Sequence, residues 1–235
     1  MNLPTPDKDK YLSAKPFPHL VLDNVFDPLL LHKILNRWPI MKPSDDYEGQ
    51  KLKAHTNDEN KMQRFVSDFI KITFQSQELI NFLEAITGIK GLVLDCHDPS
   101  LHETFPGGYL RPHVDYTIHP VTGLQHRVNA ILFLNENWKP EYNGNLELYE
   151  SHPYLGGILT SKSVSIEPIF NRLAIFNIGI DAWHGHPEIL KCPIGMSRKS
   201  IAVNYFSIPE KNAIKKHTTF YTKNILKRLY QKHFK

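Results

Sequence analysis

The chain has 235 residues, with 28 Lys and Arg against 24 Asp and Glu, for a formal charge of +4. Eight of the basic residues and none of the acidic ones fall in 211–235, leaving 20 basic against 24 acidic side chains in 1–210; this excludes a uniformly basic nucleic-acid binder. Two cysteines (Cys96 and Cys192) exclude a disulfide framework, and the sequence has neither an apolar run near the ~18 residues of a membrane span nor a secretory h-region. A cytoplasmic protein with no nucleic-acid or membrane partner is the expectation.

The first 18 residues hold four prolines and read as an extended lead-in. Residues 19–26 suggest a first strand. Asp27 and Pro28 then form an N-cap and first-turn proline, followed at helical spacing by Leu31, Ile34, Leu35 and Trp38, with Pro39 as terminator. Residues 41–60 are polar, lack a period and read as a long loop fit for a lid, as does 116–126. Met62, Phe65, Val66, Phe69, Ile70 and Thr73 mark a second helix. Ser76 caps a third that carries Leu79, Leu83 and Ile86 and closes at Gly88. From residue 91 short β-rich runs alternate with Gly, Pro and Asn, at 92–95, 108–114, 127–134, 146–149, 164–168, 172–177 and 199–207. This texture predicts a mainly β domain, a sandwich or barrel behind a helical N-terminal layer. Beyond Pro209, the stripe Leu226, Leu229, Tyr230 and Phe234 predicts a basic amphipathic helix.

The chemistry-bearing residues lie between Phe105 and Phe206. On a strand, His113 and Asp115 face the same side, so an imidazole and a carboxylate converge. A histidine from a distant strand would complete two His and one carboxylate, a set that suits non-haem Fe(II) because it leaves coordination positions open. His184 and His186 are both candidates for it. Arg198, at the start of an alternating strand, could clamp a carboxylate bidentately, and Ser200 shares its face.

The ordered set is Gly107-Gly108-Tyr109, His113-Val114-Asp115, Phe133-Leu134-Asn135 with Trp138, Gly144-Asn145-Leu146-Glu147-Leu148, Arg172 to Phe176, His184-Gly185 and Arg198-Lys199-Ser200. It resembles the 2-oxoglutarate/Fe(II) dioxygenase superfamily, in its prolyl-4-hydroxylase-like branch. The resemblance implies a double-stranded β-helix (jelly roll); with the element reading above it gives a single oxygenase domain over 1–210, with a helical layer at 19–90 and a core at 91–208, and a basic helical extension at 211–235 that docks on it. It implies Fe(II) on His113, Asp115 and His184, and 2-oxoglutarate on Arg198, with Ser200, Asn129 and Tyr109 as further co-substrate contacts. His186 and Arg127 are the candidate substrate contacts, and ascorbate the expected reductant. The implied reaction consumes O2, releases succinate and CO2, and hydroxylates a small molecule or peptidyl substrate; an aspartate at 115 points to hydroxylation rather than halogenation. Two positions depart from the pattern. Phe133 has no hydroxyl where some relatives have a tyrosine for the co-substrate, so Ser200 or Asn129 would supply that contact, and Asn145 replaces a glycine. The other readings are a cupin-like metal enzyme using His184 and His186, and a non-catalytic jelly-roll binding module.

Overall fold

The computed structural model of the chain describes residues 1–44, 49–58, 60–94, 100–152 and 158–221. In chain order the elements are α1 (Lys8–Ser13), β1 (His19–Asp23), α2 (Pro28–Leu35), β2 (Gln50–Thr56), α3 (Arg64–Phe74), α4 (Gln77–Thr87), β3 (Val93–Leu94), β4 (Ser100–Val114), β5 (Gln125–Phe133), β6 (Leu146–His152), β7 (Ile158–Ile166), β8 (Arg172–Asn177), β9 (Trp183–His186), β10 (Arg198–Ser207) and β11 (Thr219–Phe220). No helix of the described residues is long and apolar enough to cross a membrane.

The strands form one antiparallel path, β1-β8-β5-β10-β4-β9-β6-β7, with β2 and β11 also on β4 and β3 on β10. The path turns at the long β4, whose residues 100–104 pair with β10 while Leu110 and His113 pair with β9. One strand thus serves both walls of a jelly roll, the fold class expected.

The period-2 pattern of the central strands divides two environments. On β5 and β10, Val128, Ala130, Leu132, Ile201, Val203 and Tyr205 are buried in the main core, against Leu31, Ile34, Val66, Phe69, Phe74, Leu79, Leu83 and Ile86 of the helices. The alternate residues Asn129, Ile131, Arg198, Ser200, Ala202 and Asn204 line a cavity inside the roll. A smaller cluster of Phe133, Leu146, Leu148, Ile166, Ala174 and Phe176 fills the rest of the interior.

The helix signals act as read. Asp27 Oδ1 accepts from Leu29 N at 2.9 Å, Ser76 Oγ accepts from Leu79 N, and Gly88 ends α4 at φ +74°, a conformation glycine adopts without Cβ strain. α2 stops at Leu35, three residues before Trp38, whose indole instead donates to Glu103 Oε2 at 3.1 Å. Tyr205, fully buried on β10, donates its hydroxyl to the carbonyl of Phe74, the last residue of α3, at 2.8 Å. Tyr205→Phe is expected to cost about 1–3 kcal/mol by leaving that carbonyl unpaired. A urea titration should show a lower midpoint with an unchanged slope.

Several expectations need correction. The lead-in contains α1, started by Asp7, whose side chain accepts from Lys10 N at 2.9 Å, and anchored by the buried Tyr11. The loop expected over 41–60 contains β2, paired with β4. β4 starts at Ser100 rather than 108, because the turn-like Pro106-Gly107-Gly108 lies within a continuous, bulged strand. Trp183–His186 forms a strand that was not among the β-rich runs. The extension from 211, expected to dock as a helix, contacts the core in its described part through a short strand. Thr219 and Phe220 pair with Val114 and His113, and Thr117 Oγ1 accepts from Lys216 N at 2.9 Å. The stripe expected to form a C-terminal helix, Leu226 to Phe234, lies outside the described residues, as do Asp95, Cys96 and His97.

Candidate metal centre and basic cavity

His113 and His184 are register partners on β4 and β9, and their rings meet with centroids 4.4 Å apart. Close approach of the two strands requires Gly185, where a Cβ would lie 2.8 Å from the Arg111 carbonyl oxygen. Asp115, just beyond β4, places Oδ1 3.5 Å from His113 Nε2 and Oδ2 3.5 Å from His184 Nε2. One ligand atom from each residue lies within 4.8 Å of the others. His113 Nδ1 is 3.0 Å from the Arg111 carbonyl oxygen, and His184 Nδ1 is 2.9 Å from that of Ala182. A carbonyl only accepts, so each Nδ1 carries the proton and each Nε2 keeps its lone pair toward the cluster, the tautomer a metal ligand needs.

The electrostatics agree. Burial, then the neighbouring His113, pushes the His184 imidazole down to about 4, so it is neutral at pH 7. Burial opposes the charge on Asp115, but the imidazoles of His184, His113 and His126 outweigh it and hold the carboxyl well below the usual range. Two imidazole Nε2 atoms and one carboxylate brought together form a donor set that suits a divalent iron.

The three residues sit in a cavity of about 280 Å³. Its other end is basic. Arg198, 4% exposed, donates from Nε to the Gly144 carbonyl at 2.6 Å and packs its guanidinium 4.9 Å from the Phe133 ring centroid. Phe133, expected to leave a missing hydroxyl contact, is thus the platform for the arginine. Arg198 remains cationic at neutral pH although burial pulls it down to about 9. Lys53, His102, His186 and Ser200 complete this end, and Asp115 is the one carboxylate among the described lining residues.

Of the other expected contacts, Ser200 and Asn129 line the cavity, and Asn129 Nδ2 lies 3.5 Å from Asp115 Oδ2. Tyr109 is not part of the lining; its neighbour Leu110 is, and adjacent strand residues face opposite ways. Arg127 also points elsewhere, donating to Glu210 Oε1 at 2.7 Å and to Gln125 Oε1 at 3.0 Å. His186 lines the cavity but stands outside the ligand cluster, with Nε2 3.5 Å from Thr104 Oγ1, which removes the basis for a His184–His186 metal pair. Among the other lining residues, His102 and His126 read from sequence as structural and loop residues, and Lys53 and Phe220 carried no site reading. The polar alternation Ser100, His102, Thr104 was a usable signal for His102; Lys53 and Phe220 sit in segments read as loop and tail.

A family model for the 2OG-Fe(II) oxygenase superfamily matches residues 99–206. No curated protein matches the chain in sequence. Among solved structures, the chain is similar to a Pseudomonas putida prolyl-4-hydroxylase at 16% identity and TM-score 0.51, covering 81% of this chain and 92% of that one. It is similar to a Trichoplax adhaerens prolyl hydroxylase in complex with a hypoxia inducible factor peptide at 17% identity and TM-score 0.54, covering 80% and 83%. Streptomyces hygroscopicus HygX, with nickel, 2-oxoglutarate and hygromycin B bound, aligns at 12% identity and TM-score 0.57 over 87% and 92%. The matched segment runs from β4 through β10 and so contains all three cluster residues and Arg198; over these residues the chain matches the 2OG-Fe(II) oxygenase superfamily, it has the fold of the prolyl-4-hydroxylase structures it aligns with, and together these support a 2-oxoglutarate-dependent dioxygenase.

Proposed function

We propose that the chain hydroxylates an unactivated C–H bond of a small metabolite, an amino acid or a prolyl residue, with Fe(II) held by His113, Asp115 and His184 and 2-oxoglutarate held by Arg198. The observation that supports this most is the polarity of the cavity. Two Nε2 lone pairs and an ionised carboxylate meet at one end, and a buried arginine with no carboxylate partner among the described residues stands at the other. When bound, iron and 2-oxoglutarate supply O2 activation coupled to decarboxylation to succinate and CO2.

The protein's own residues bind, orient and shield. The Arg111 and Ala182 carbonyls fix the imidazole tautomers, and Phe220 and Phe176 pack on His113 and His184 at 5.3 and 4.8 Å between centroids, keeping water from that side. Arg198 orients a dicarboxylate from its far end, so that its other end reaches the metal ligands. A volume of about 280 Å³ lies at the small end of ligand pockets, with room for a co-substrate and one reacting group. The rest of a substrate then lies outside, which suits both a small metabolite and a residue of a peptide, the two kinds of ligand in the HygX and Trichoplax complexes.

Anaerobic addition of Fe(II) and then 2-oxoglutarate should give a weak visible charge-transfer band that saturates with the co-substrate. Succinate release in air, screened over free amino acids, proline-containing peptides and small metabolites, then identifies the substrate class. Absence of both band and succinate contradicts the proposal.

A further inference from the structure

We propose that Lys53, on β2, is a second cationic contact for the distal carboxylate of the co-substrate, set opposite Arg198 across β4. This rests on the 2-oxoglutarate reading above and adds a residue from outside the segment that carries the other site residues.

Register places it there. Thr104 on β4 is the partner of Lys53 on one side and of Arg198 on the other, so the three side chains form one cross-strand row on the cavity face. Lys53 and Arg198 both line the cavity, 6% and 4% exposed. Gln50 also lines it, although residues three apart on a regular strand face opposite ways. The difference is a register shift between Lys51 and Lys53, where Leu52 adopts φ +46°. A left-handed leucine is strained by about 1–3 kcal/mol. The extra residues at this shift, 105–108, lie on β4, and the left-handed backbone at Leu52 changes which parity of β2 faces the cavity, so Lys53 turns inward.

Once inside, the ammonium has one partner among the described residues, His102 Nδ1 at 2.6 Å, and no carboxylate. His102 Nε2 in turn meets Ser100 Oγ at 2.5 Å. A protonated lysine only donates, so His102 accepts at Nδ1 and donates from Nε2, which orients the ammonium and leaves it two hydrogens. Arg198 similarly keeps both outer nitrogens, having used Nε on Gly144. Two buried cations in one row, neither with a counterion among the described residues, match one carboxylate between them. They supply the polar contact that Phe133 cannot make.

Charge state adds a signature. Burial, then the charge of Arg198, drives Lys53 down to about 7, with Asp115 pulling the other way. Of the other titratable groups around it, His102 and His186 on neighbouring strands are held well below the ordinary histidine range by burial, and His55 on β2 is lowered by burial and then by the charge of Lys53. A carboxylate arriving beside Lys53 raises it again, so binding takes up protons from pH 7 toward the ordinary lysine range.

The test is calorimetric titration of 2-oxoglutarate into nickel-loaded protein. Lys53→Met should weaken binding about 10–100-fold, with Lys53→Arg restoring most of it, while nickel affinity stays unchanged. Binding of 2-oxobutyrate, which has the same chelating end and no distal carboxylate, should change less than about threefold, as no charge pair is lost. In wild-type protein at pH 8, enthalpies in buffers of different ionisation heat should report proton uptake, which needs no variant to fold. Wild-type binding with no proton uptake, or Lys53→Met binding within about threefold of wild type, overturns the role of Lys53 alone. A wild-type protein that binds no 2-oxoglutarate overturns the co-substrate reading and this role with it.

Discussion

Asp115→Ala is expected to abolish succinate formation and to lower Fe(II) affinity by at least about 10²-fold, going beyond the 10–100-fold typical of losing a supporting group around a ligand. Asp115 is the one carboxylate among the described lining residues and lies 3.5 Å from both imidazole Nε2 atoms, so it supplies the negative charge and the third donor. What remains is a pair of imidazoles with no anionic donor, at a cavity whose far end is cationic, a poor host for a divalent ion. Folding provides a second readout. Metal that binds only the folded chain stabilises it by about 2.7 kcal/mol at a hundredfold excess over Kd, so wild type should gain melting temperature with nickel. The variant should fold and lose that gain. Unchanged metal affinity in Asp115→Ala would remove Asp115 from the ligand set.

The proximity of His113, Asp115 and His184 was legible because its signal is local. His113 and Asp115 are two apart at a strand end, and His184 is followed by the glycine that lets β9 approach β4. The helical layer was legible for a similar reason: caps at Asp27, Ser76 and Gly88 and apolar residues at helical spacing are read within a dozen positions. The residues that escaped depend on events that break a period. The register shift between Leu110 and His113 changes which parity of β4 faces inward, so Tyr109 does not line the cavity while His113 does. The positive φ of Leu52, at the register shift between β2 and β4, does the same for Lys53. β2 read as a loop because its inward residues meet a polar cavity rather than an apolar core, which leaves no hydrophobic alternation to detect. Arg127 looked available, but its partner Glu210 is 83 residues away in sequence. The charge asymmetry is sharpened too. The basic segment beyond 210 brings Phe220 onto His113 at 5.3 Å, so its described part belongs to the wall of the site.

Arg198→Met should separate the two halves of the cavity, retaining metal and losing 2-oxoglutarate. The guanidinium is buried, held by the Gly144 carbonyl at 2.6 Å and the Phe133 ring at 4.9 Å, and so is fixed before any ligand arrives. Truncating one partner of a buried, hydrogen-bonded charge pair costs about 2–5 kcal/mol, so the Kd of 2-oxoglutarate should rise about 10²–10³-fold. Methionine keeps much of the volume against Phe133 while removing a buried charge with no counterion among the described residues, so the ligand-free variant should be at least as stable as wild type. Arg198→Lys should recover only part of the affinity, since an ammonium cannot reproduce the planar fork that bonds Gly144 and a carboxylate together. The effect of Arg198→Met should exceed that of Lys53→Met, because the arginine is locked by two contacts and cationic up to about 9, whereas the lysine is half neutral near 7. Equal losses in the two variants would mean that the row Lys53–Thr104–Arg198 acts as a symmetric clamp; retention of wild-type affinity in Arg198→Met would place the dicarboxylate elsewhere in the cavity.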